Sequence, residues 1–144
     1  MQWTAKTFEQ LVTRELFDIY RIRTEVFVVE QNCVYADVDF EDLTAVHLAA
    51  RDSQGIAAYC RIYAASDGIH IGRVLVAKRA RGGGIARQLM HRALEICQTR
   101  YPQQTIRVQA QAYLEDFYRS LGFASVSGVY LDAGVEHIDM VKDA

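Results

Sequence analysis

A run of three glycines is the pattern in this chain with the clearest chemical meaning. Gly82, Gly83 and Gly84 follow a strand-like segment that ends near Ala77, and they precede a long segment whose apolar residues have helical spacing. The first turn of a helix leaves about four backbone N–H groups without an internal partner, and glycine lets a ligand approach them because no Cβ intervenes. Four basic residues flank the turn: Lys78, Arg79, Arg81 and Arg87. The pattern therefore indicates a site for phosphate or pyrophosphate.

Two common phosphate-binding loops do not fit this turn. No Gly-Lys-Ser/Thr follows the glycines, which excludes the nucleotide-triphosphate loop. The second and third glycines are adjacent, whereas the dinucleotide fingerprint separates them by two residues. The local sequence leaves a flexible turn with solvated arginines as the alternative.

The segments around the turn alternate between helix and strand patterns. Apolar spacing predicts helices over 8–21, 23–29, 85–100 and 112–121, and strands over 3–6, 46–51, 56–63, 69–77, 105–110, 125–131 and 136–141. A capping box of Thr7 and Gln10 opens the first helix, and residues 31–45 form a loop. Strands between 46 and 77 form an antiparallel meander, and the strand–helix–strand unit over 69–110 implies a parallel pair.

Length and composition narrow the class of protein. The chain has 144 residues, 16 basic and 18 acidic, for a net charge of −2, which argues against a nucleic-acid-binding domain. No apolar run is long enough to span a membrane, and the first residues do not resemble a signal peptide. Three widely spaced cysteines form neither a disulfide framework nor a zinc site. We therefore expect one cytoplasmic domain over 1–144.

Two segments resemble the signatures of the GNAT superfamily of N-acetyltransferases. The segment 79–84, Arg-Ala-Arg-Gly-Gly-Gly, is similar to the signature Arg/Gln-x-x-Gly-x-Gly/Ala, and 117–123, with Tyr118 before Gly-Phe, resembles the second signature. Residues 23–31, 35–39 and 134–138 resemble motifs of the ElaA-like subgroup. The likeness covers nearly the whole chain.

The resemblance implies a fold and a cosubstrate. The fold is an α/β acyl-CoA N-acyltransferase fold, a mixed seven-stranded splayed sheet with helices on both faces. Acetyl-CoA is the cosubstrate, without a metal. Its pyrophosphate is expected on the turn, and its pantetheine arm on a bulged strand whose amide polarises the thioester carbonyl. The cofactor-binding residues that the resemblance implies are Val74, Leu75, Val76, Arg81, Gly82, Gly83, Gly84, Ile85, Ala86 and Arg87.

The resemblance also implies catalytic and acceptor-binding residues. Tyr118 matches the tyrosine that protonates the leaving thiolate, with plain packing as the alternative. Glu30 is the first candidate for the general base, ahead of Asp39, His70 and His137. Asp39 and His137 are also expected at the acceptor site.

The acidic loop around Asp37, Asp39 and Glu41 lacks the glycine and glutamate of a calcium loop. It either faces the acceptor cleft and attracts a cationic amine, or is solvated.

The function that follows is direct transfer of the acetyl group to a primary amine in a ternary complex. An acetyl-CoA-binding sensor or interaction module with little catalysis is the alternative, and transfer of longer acyl chains is a third interpretation. The amine itself is not identified by the sequence. We expect no nucleic acid or membrane partner, and a homodimer is left open.

Overall fold

A mixed eight-stranded sheet forms the centre of the molecule in the computed structural model, which describes residues 1–143. The strands are β1 (Gln2–Thr7), β2 (Val46–Asp52), β3 (Gly55–Ala65), β4 (Gly68–Val76), β5 (Ile106–Gln111), β6 (Ala124–Ser125), β7 (Tyr130–Asp132) and β8 (Val135–Lys142). The helices are α1 (Thr13–Arg23), α2 (Ile85–Arg100) and α3 (Glu115–Ser120), with a π-helical segment over Thr24–Glu30. Short 3₁₀ turns cover Phe8–Gln10, Phe40–Leu43, Lys78–Ala80 and Ala112–Leu114.

The strand order is β1-β2-β3-β4-β5-β8-β6, and β7 pairs with β8. Strands β4 and β5 are parallel, and the other pairs are antiparallel. The predicted meander, the predicted parallel pair and the predicted fold class are confirmed. The sheet has eight strands rather than the expected seven, because the one predicted strand over 125–131 is split into β6 and β7. Between them, the Ser127 hydroxyl accepts the Asp139 N–H at 2.9 Å, so a side chain interrupts the backbone ladder.

Helices cover both faces of the sheet because the inner strands are apolar on both faces. On β3, Tyr59 and Cys60 are fully buried on opposite faces, in separate apolar clusters. The cluster with Cys60 includes Leu89 of α2 and Tyr118 of α3. The cluster with Tyr59 includes Ile19 of α1 and residues of the π-helical segment. No helix within residues 1–143 is long and apolar enough to cross a membrane.

The first predicted helix is interrupted at Leu11 and Val12, a break that apolar spacing does not predict. The Gln10 side chain accepts the Thr7 N–H at 2.9 Å, as half of the predicted capping box, but the turn ends after one 3₁₀ turn. Val12 is extended, and its N–H donates to Glu15 at 2.9 Å, so α1 begins anew at Thr13. The second predicted helix is present as the wider π form, a form common at functional sites.

Candidate active site

The site is a cleft that opens where β4 and β5 separate. The two strands pair only at Ile69 with Ile106 and at His70 with Arg107. Beyond His70 the β5-facing edge of β4 has no strand partner within residues 1–143, while its other edge stays paired with β3. The resulting cleft has a volume of about 520 Å³. An unpaired strand edge offers backbone donors and acceptors to an extended ligand.

A bulge in β4 lies beside this free edge. Arg61 of β3 faces Gly72, and Tyr59 faces Leu75, so β4 has one residue more than β3 between these pairs. Arg73 takes up the extra residue with φ of +50°, a left-handed conformation that is uncommon for a residue with a side chain. The bulge turns backbone groups away from the β3 ladder and towards the cleft.

The glycine turn closes one end of the cleft at the start of α2. Gly84 is the N-cap residue with φ of +79°, and Gly82 has φ of +92°. A Cβ built on Gly82, Gly83 or Gly84 meets no atom within 4 Å, so the space over the turn is open. The turn therefore presents backbone amides and the positive end of a 16-residue helix dipole to the cleft.

Most of the predicted cofactor-binding residues line this cleft. The residues that do so are Val74, Leu75, Val76, Arg81, Gly82, Gly84, Ile85 and Ala86. Gly83 and Arg87 do not. Arg87 lies on the exposed side of α2, where it donates to Ser120 at 3.1 Å and stacks on Phe117. The turn is also flanked by fewer free positive charges than the sequence predicts, because Arg79 is paired with Asp52 at 2.6 Å.

Tyr118 lies at the floor of the cleft with a buried side chain, 4% exposed. It packs edge-on against Phe117 and Phe123, with ring centroids 5.3 and 5.9 Å away. Its hydroxyl makes no hydrogen bond to any of residues 1–143. Burial raises the pKa of Tyr118 well above its ordinary value, so the hydroxyl keeps its proton.

Glu30 and Arg81 join the two walls of the cleft. Glu30 ends the π-helical segment, and its carboxylate accepts from both terminal nitrogens of Arg81, at 2.6 and 3.0 Å. Arg81 Nε also donates to the Val76 carbonyl at 3.0 Å. The hydrogen bond from Arg81 lowers the pKa of Glu30, which weakens this carboxylate as a proton acceptor.

Two histidines, His70 of β4 and His137 of β8, also line the cleft. His137 Nδ1 lies 2.7 Å from the Val135 carbonyl, which can only accept, so Nδ1 carries a proton and donates to that oxygen. His70 Nε2 lies 2.7 Å from the Asp67 carboxylate, and its ring stacks on Tyr63.

The acidic loop neither faces the cleft nor is solvated as a whole. Asp37 and Asp42 are buried, and Arg23, which is fully buried, binds them at 2.9 and 2.6 Å. Burial alone raises the pKa of Asp42, but the hydrogen bond from Arg23 and the neighbouring charges lower it below its ordinary value. Both interpretations of this loop were wrong for Asp37 and Asp42, because arginines that are distant in sequence neutralise them.

Asp39 lies in the same network, outside the residues that line the cleft. Its carboxylate accepts from Arg61 at 2.9 Å and from Arg73 at 3.4 Å. Arg61, Arg73 and Gly72 do line the cleft, and sequence reasoning missed all three. The available signal was Arg61 itself, a single charge within the apolar strand pattern of 56–63, which requires a carboxylate partner when buried. We call Arg23, Arg61, Arg73, Asp37, Asp39 and Asp42 the arginine–aspartate network.

Comparison with known proteins identifies the family. The family model described as an acetyltransferase (GNAT) domain matches residues 13–144. The chain belongs to the GNAT acetyltransferase family. Protein ElaA of Escherichia coli is 36% identical over 148 residues, which cover 99% of this chain and 97% of that protein. This similarity shows that the chain is ElaA-like, as the sequence motifs predicted.

Solved structures of GNAT relatives agree with the fold. The crystal structure of Escherichia coli ElaA matches with a TM-score of 0.95 and 36% identity, covering 99% of this chain and all (100%) of that one. An acyl-CoA N-acyltransferase from Pseudomonas aeruginosa matches with a TM-score of 0.93 and 37% identity, covering 98% of both chains. The chain is thus an acyltransferase of the GNAT family.

The cleft suits the acyl-CoA that GNAT proteins use. A Cβ on Gly82 or Gly84 would stand in the open space over the helix start, where a pyrophosphate needs close approach to the amides. The free edge of β4, Tyr118 and both histidines line the same cleft as this turn. Within residues 1–143, no group of three or more His, Cys, Asp or Glu residues is arranged to hold a metal ion.

Proposed function

We propose that this protein, a single domain over 1–144, transfers the acetyl group of acetyl-CoA to a primary amine by direct attack in a ternary complex. The observation that carries the proposal is one continuous cleft that joins the glycine turn, the free edge of β4 and the Tyr118 hydroxyl. These features provide an anion site, a backbone edge for an extended chain, and a proton donor. Acyl transfer from CoA to an amine needs each of them.

Backbone groups hold the cosubstrate in this proposal. The amides of the glycine turn and of the first residues of α2, Ile85 and Ala86, bind the pyrophosphate. The edge of β4 over Val74–Val76 binds the pantetheine amides as an added strand. A bulge amide of β4 donates to the thioester oxygen and stabilises negative charge there. When bound, acetyl-CoA supplies an acyl group activated as a thioester.

Tyr118 supplies the proton that the leaving sulfur needs. Its raised pKa keeps the phenol protonated at neutral pH, so the hydroxyl is present as a donor when the C–S bond breaks and negative charge develops on the sulfur. The hydroxyl has no competing partner within residues 1–143, so it is free to donate into the cleft. Burial between Phe117 and Phe123 fixes the ring.

His137 is a better general base than Glu30. An amine must lose a proton before or during attack, so the base needs a lone pair that no other group in the protein occupies. Glu30 is held by two hydrogen bonds from Arg81, which lower its pKa. His137 lies on β8 with Nδ1 fixed by Val135, which leaves Nε2 to accept the proton. We therefore assign Glu30 to the bridge with Arg81 rather than to proton transfer.

Direct attack is favoured over an acyl-enzyme. Cys33 lines the cleft, but its thiol donates to the Ala133 carbonyl at 2.8 Å. A carbonyl accepts this hydrogen bond without taking the proton, so the contact does not activate the sulfur as a nucleophile.

The experiment is a screen of amines that monitors free thiol released from acetyl-CoA, with propionyl-CoA and butyryl-CoA in parallel. Amine-dependent thiol release that is fastest with acetyl-CoA supports the proposal. Tight acetyl-CoA binding without release across a chemically broad set of amines contradicts it and favours a CoA-binding sensor. Faster release from the longer thioesters contradicts only the acetyl assignment.

A further inference from the structure

The sheet face that carries His137 also carries a tyrosine and a carboxylate that the proposed reaction does not use. Tyr130 of β7 pairs with His137 of β8 in the strand register, and Asp139 lies two residues further along β8, on the same face. His137 lines the cleft, whereas Tyr130 and Asp139 do not. Tyr130 therefore meets His137 from outside the cleft.

The Tyr130 ring stacks on the His137 imidazole. The ring centroids are 6.3 Å apart and the ring planes are inclined by 28°. On its own strand, His137 donates through Nδ1 to the Val135 carbonyl at 2.7 Å. Aromatic pairs at such distances have preferred relative orientations, so the stack and the hydrogen bond together fix the plane of the imidazole. They thereby fix the direction of Nε2, which has no hydrogen-bond partner within residues 1–143.

Asp139 anchors the Tyr130 ring through its hydroxyl. The Tyr130 hydroxyl donates to the Asp139 carboxylate. Burial and this hydrogen bond raise the pKa of Tyr130 to about 12, so the hydroxyl keeps its proton and remains a donor. The backbone of Asp139 is held as well, because its N–H donates to the Ser127 hydroxyl and its carbonyl accepts from the Val126 N–H, each at 2.9 Å. Tyr130 is thus held at both its ring and its hydroxyl.

The break between β6 and β7 determines that a tyrosine faces His137. Ser125 of β6 pairs with Met140 of β8. Tyr130 pairs with His137, so the chain from 125 to 130 has two residues more than β8 has from 140 to 137. A regular ladder would place Gly128, which has no side chain, opposite His137. Extra residues of this kind change the direction of side chains beside active sites.

We propose that Tyr130 is a positioning residue for the base His137, held in place by Asp139. The inference rests on the proposed acetyl transfer and specifies what supports its base. A base accepts a proton efficiently only when its lone pair points at the reacting group, and small displacements reduce the rate strongly. The ring of Tyr130 supplies the contact with His137, and the hydroxyl supplies the anchor.

The ring nitrogens of His137 give a test that needs no turnover. Nitrogen-15 NMR of histidine-labelled protein at about pH 9, where an ordinary histidine is neutral, shows which ring nitrogen carries the proton, and His137→Gln assigns the signal. Wild-type protein should carry it on Nδ1, as the contact with Val135 requires. Tyr130→Leu should lower the Nδ1-protonated fraction about twofold or more, and Tyr130→Phe should leave it unchanged. An unchanged fraction in Tyr130→Leu overturns the inference.

Kinetics of thiol release, with the amine that is fastest in the screen above, test the effect on the reaction. Tyr130→Leu should lower kcat about tenfold, with the KM for acetyl-CoA within about twofold of wild type. Tyr130→Phe keeps the ring and should lower kcat about threefold at most. Leu131→Ala, at the neighbouring residue of β7, which is 70% exposed, is the matched control and should equal wild type. Wild-type kcat in Tyr130→Leu contradicts the assignment.

A double variant distinguishes positioning from a merely structural role. Since Tyr130 acts through His137, adding Tyr130→Leu to His137→Gln should cause no further loss of kcat. A further loss of about threefold or more shows that Tyr130 acts by another route and overturns the inference. A changed Nδ1 fraction in a protein that releases no thiol with any amine supports the contact between Tyr130 and His137 and contradicts only the proposed acetyl transfer.

Discussion

The two ends of the cleft are built from different kinds of chemical group. At the glycine turn, backbone amides face an open space, and Gly82 and Gly84 have left-handed backbone angles. At the acceptor end, a network of three arginines and three aspartates, four of which are buried, supports the wall. The first end depends on local backbone geometry, and the second depends on side chains that come together only in the folded protein.

This difference corresponds to two tasks, binding of a cosubstrate shared by the family and recognition of an acceptor specific to one member. Backbone amides recognise a phosphate whatever the neighbouring side chains are, so this end suits a cosubstrate shared by a whole family. Side-chain networks fix the charge and shape of a wall, so the acceptor end is where one family member differs from another. The predictions below test this division, from the largest expected effect to the smallest.

The largest effect is expected at the centre of the network. Asp42→Asn removes the carboxylate that Arg23 and Arg61 share, at 2.6 and 2.9 Å. Breaking a buried ion pair leaves an uncompensated charge, so we expect the free energy of unfolding to fall by about 3–5 kcal/mol. Denaturant unfolding measures this loss. Asp116→Asn, at a carboxylate that is 97% exposed, is the control and should change little.

The Asp42 carboxylate also makes the stability of the folded protein depend on pH. Because the folded state lowers the pKa of Asp42, its contribution is present above the unfolded value near 3.9 and is lost as the pH falls through the lower folded value. Wild-type protein should therefore lose stability below about pH 4, and Asp42→Asn should lose less. Equal acid losses in the two proteins would show that the network does not act through this ionisation.

Tyr118→Phe tests the Tyr118 hydroxyl, the proposed proton donor of the cleft. Removal of the proton donor should reduce kcat about 100-fold, the lower end of the range for general acid catalysis, while acetyl-CoA binds with nearly unchanged affinity. Steady-state kinetics and calorimetry measure the two quantities. Tyr101→Phe, outside the cleft, is the matched control. Unchanged kcat in Tyr118→Phe would mean that the tyrosine only packs in the core.

Much of the fold was predictable because its signals are local. The bounds of α2, the meander and the parallel pair follow from apolar spacing and turn residues. The glycine turn is identified by three consecutive glycines. Gly122, directly after the predicted helix over 112–121, has φ of +99°, and its N–H donates to the Arg119 carbonyl at 3.0 Å. Its position is set by short-range backbone geometry.

The acceptor end could not be predicted in the same way. Arg23 and Asp42 are 19 residues apart, and Arg73 and Asp37 are 36 residues apart. Their pairing is set by how the loop over 31–45 folds back onto β3 and β4, which no local pattern encodes. The start of α1 after Val12 also involves a contact outside the helix, since Glu15 binds Lys6 on β1.

Alanine substitutions at two glycines of the turn distinguish the effect of backbone strain from the effect of an added methyl group. Gly84 has φ of +79°, so Gly84→Ala should cost about 1–2 kcal/mol in the turn. We expect it to weaken acetyl-CoA binding about tenfold, because the amides of the helix start move. Gly83→Ala adds a methyl group in open space at an ordinary φ, outside the cleft lining, and should bind within threefold of wild type. Equal affinities in the two variants would argue against anion binding by the helix start.

The smallest effect is expected at the bridge between the cleft walls. Glu30 and Arg81 are 38% and 41% exposed, so Glu30→Gln should change the free energy of unfolding by less than about 1 kcal/mol. The kcat of Glu30→Gln should fall less than tenfold. The kcat of His137→Gln should fall about 100-fold, because His137 is the proposed base. Stopped-flow or steady-state thiol release distinguishes the two. A larger loss in Glu30→Gln than in His137→Gln would return the role of base to Glu30.

The most direct measurement is a titration of isotope-labelled protein with acetyl-CoA, followed by the backbone amide resonances. The account predicts the largest shifts in residues 82–86 and 74–76, and small shifts in β1 and β2 on the far side of the sheet. Saturable binding whose shifts lie elsewhere, or no shifts at millimolar acetyl-CoA, would contradict the claim that backbone amides of this cleft hold the cosubstrate.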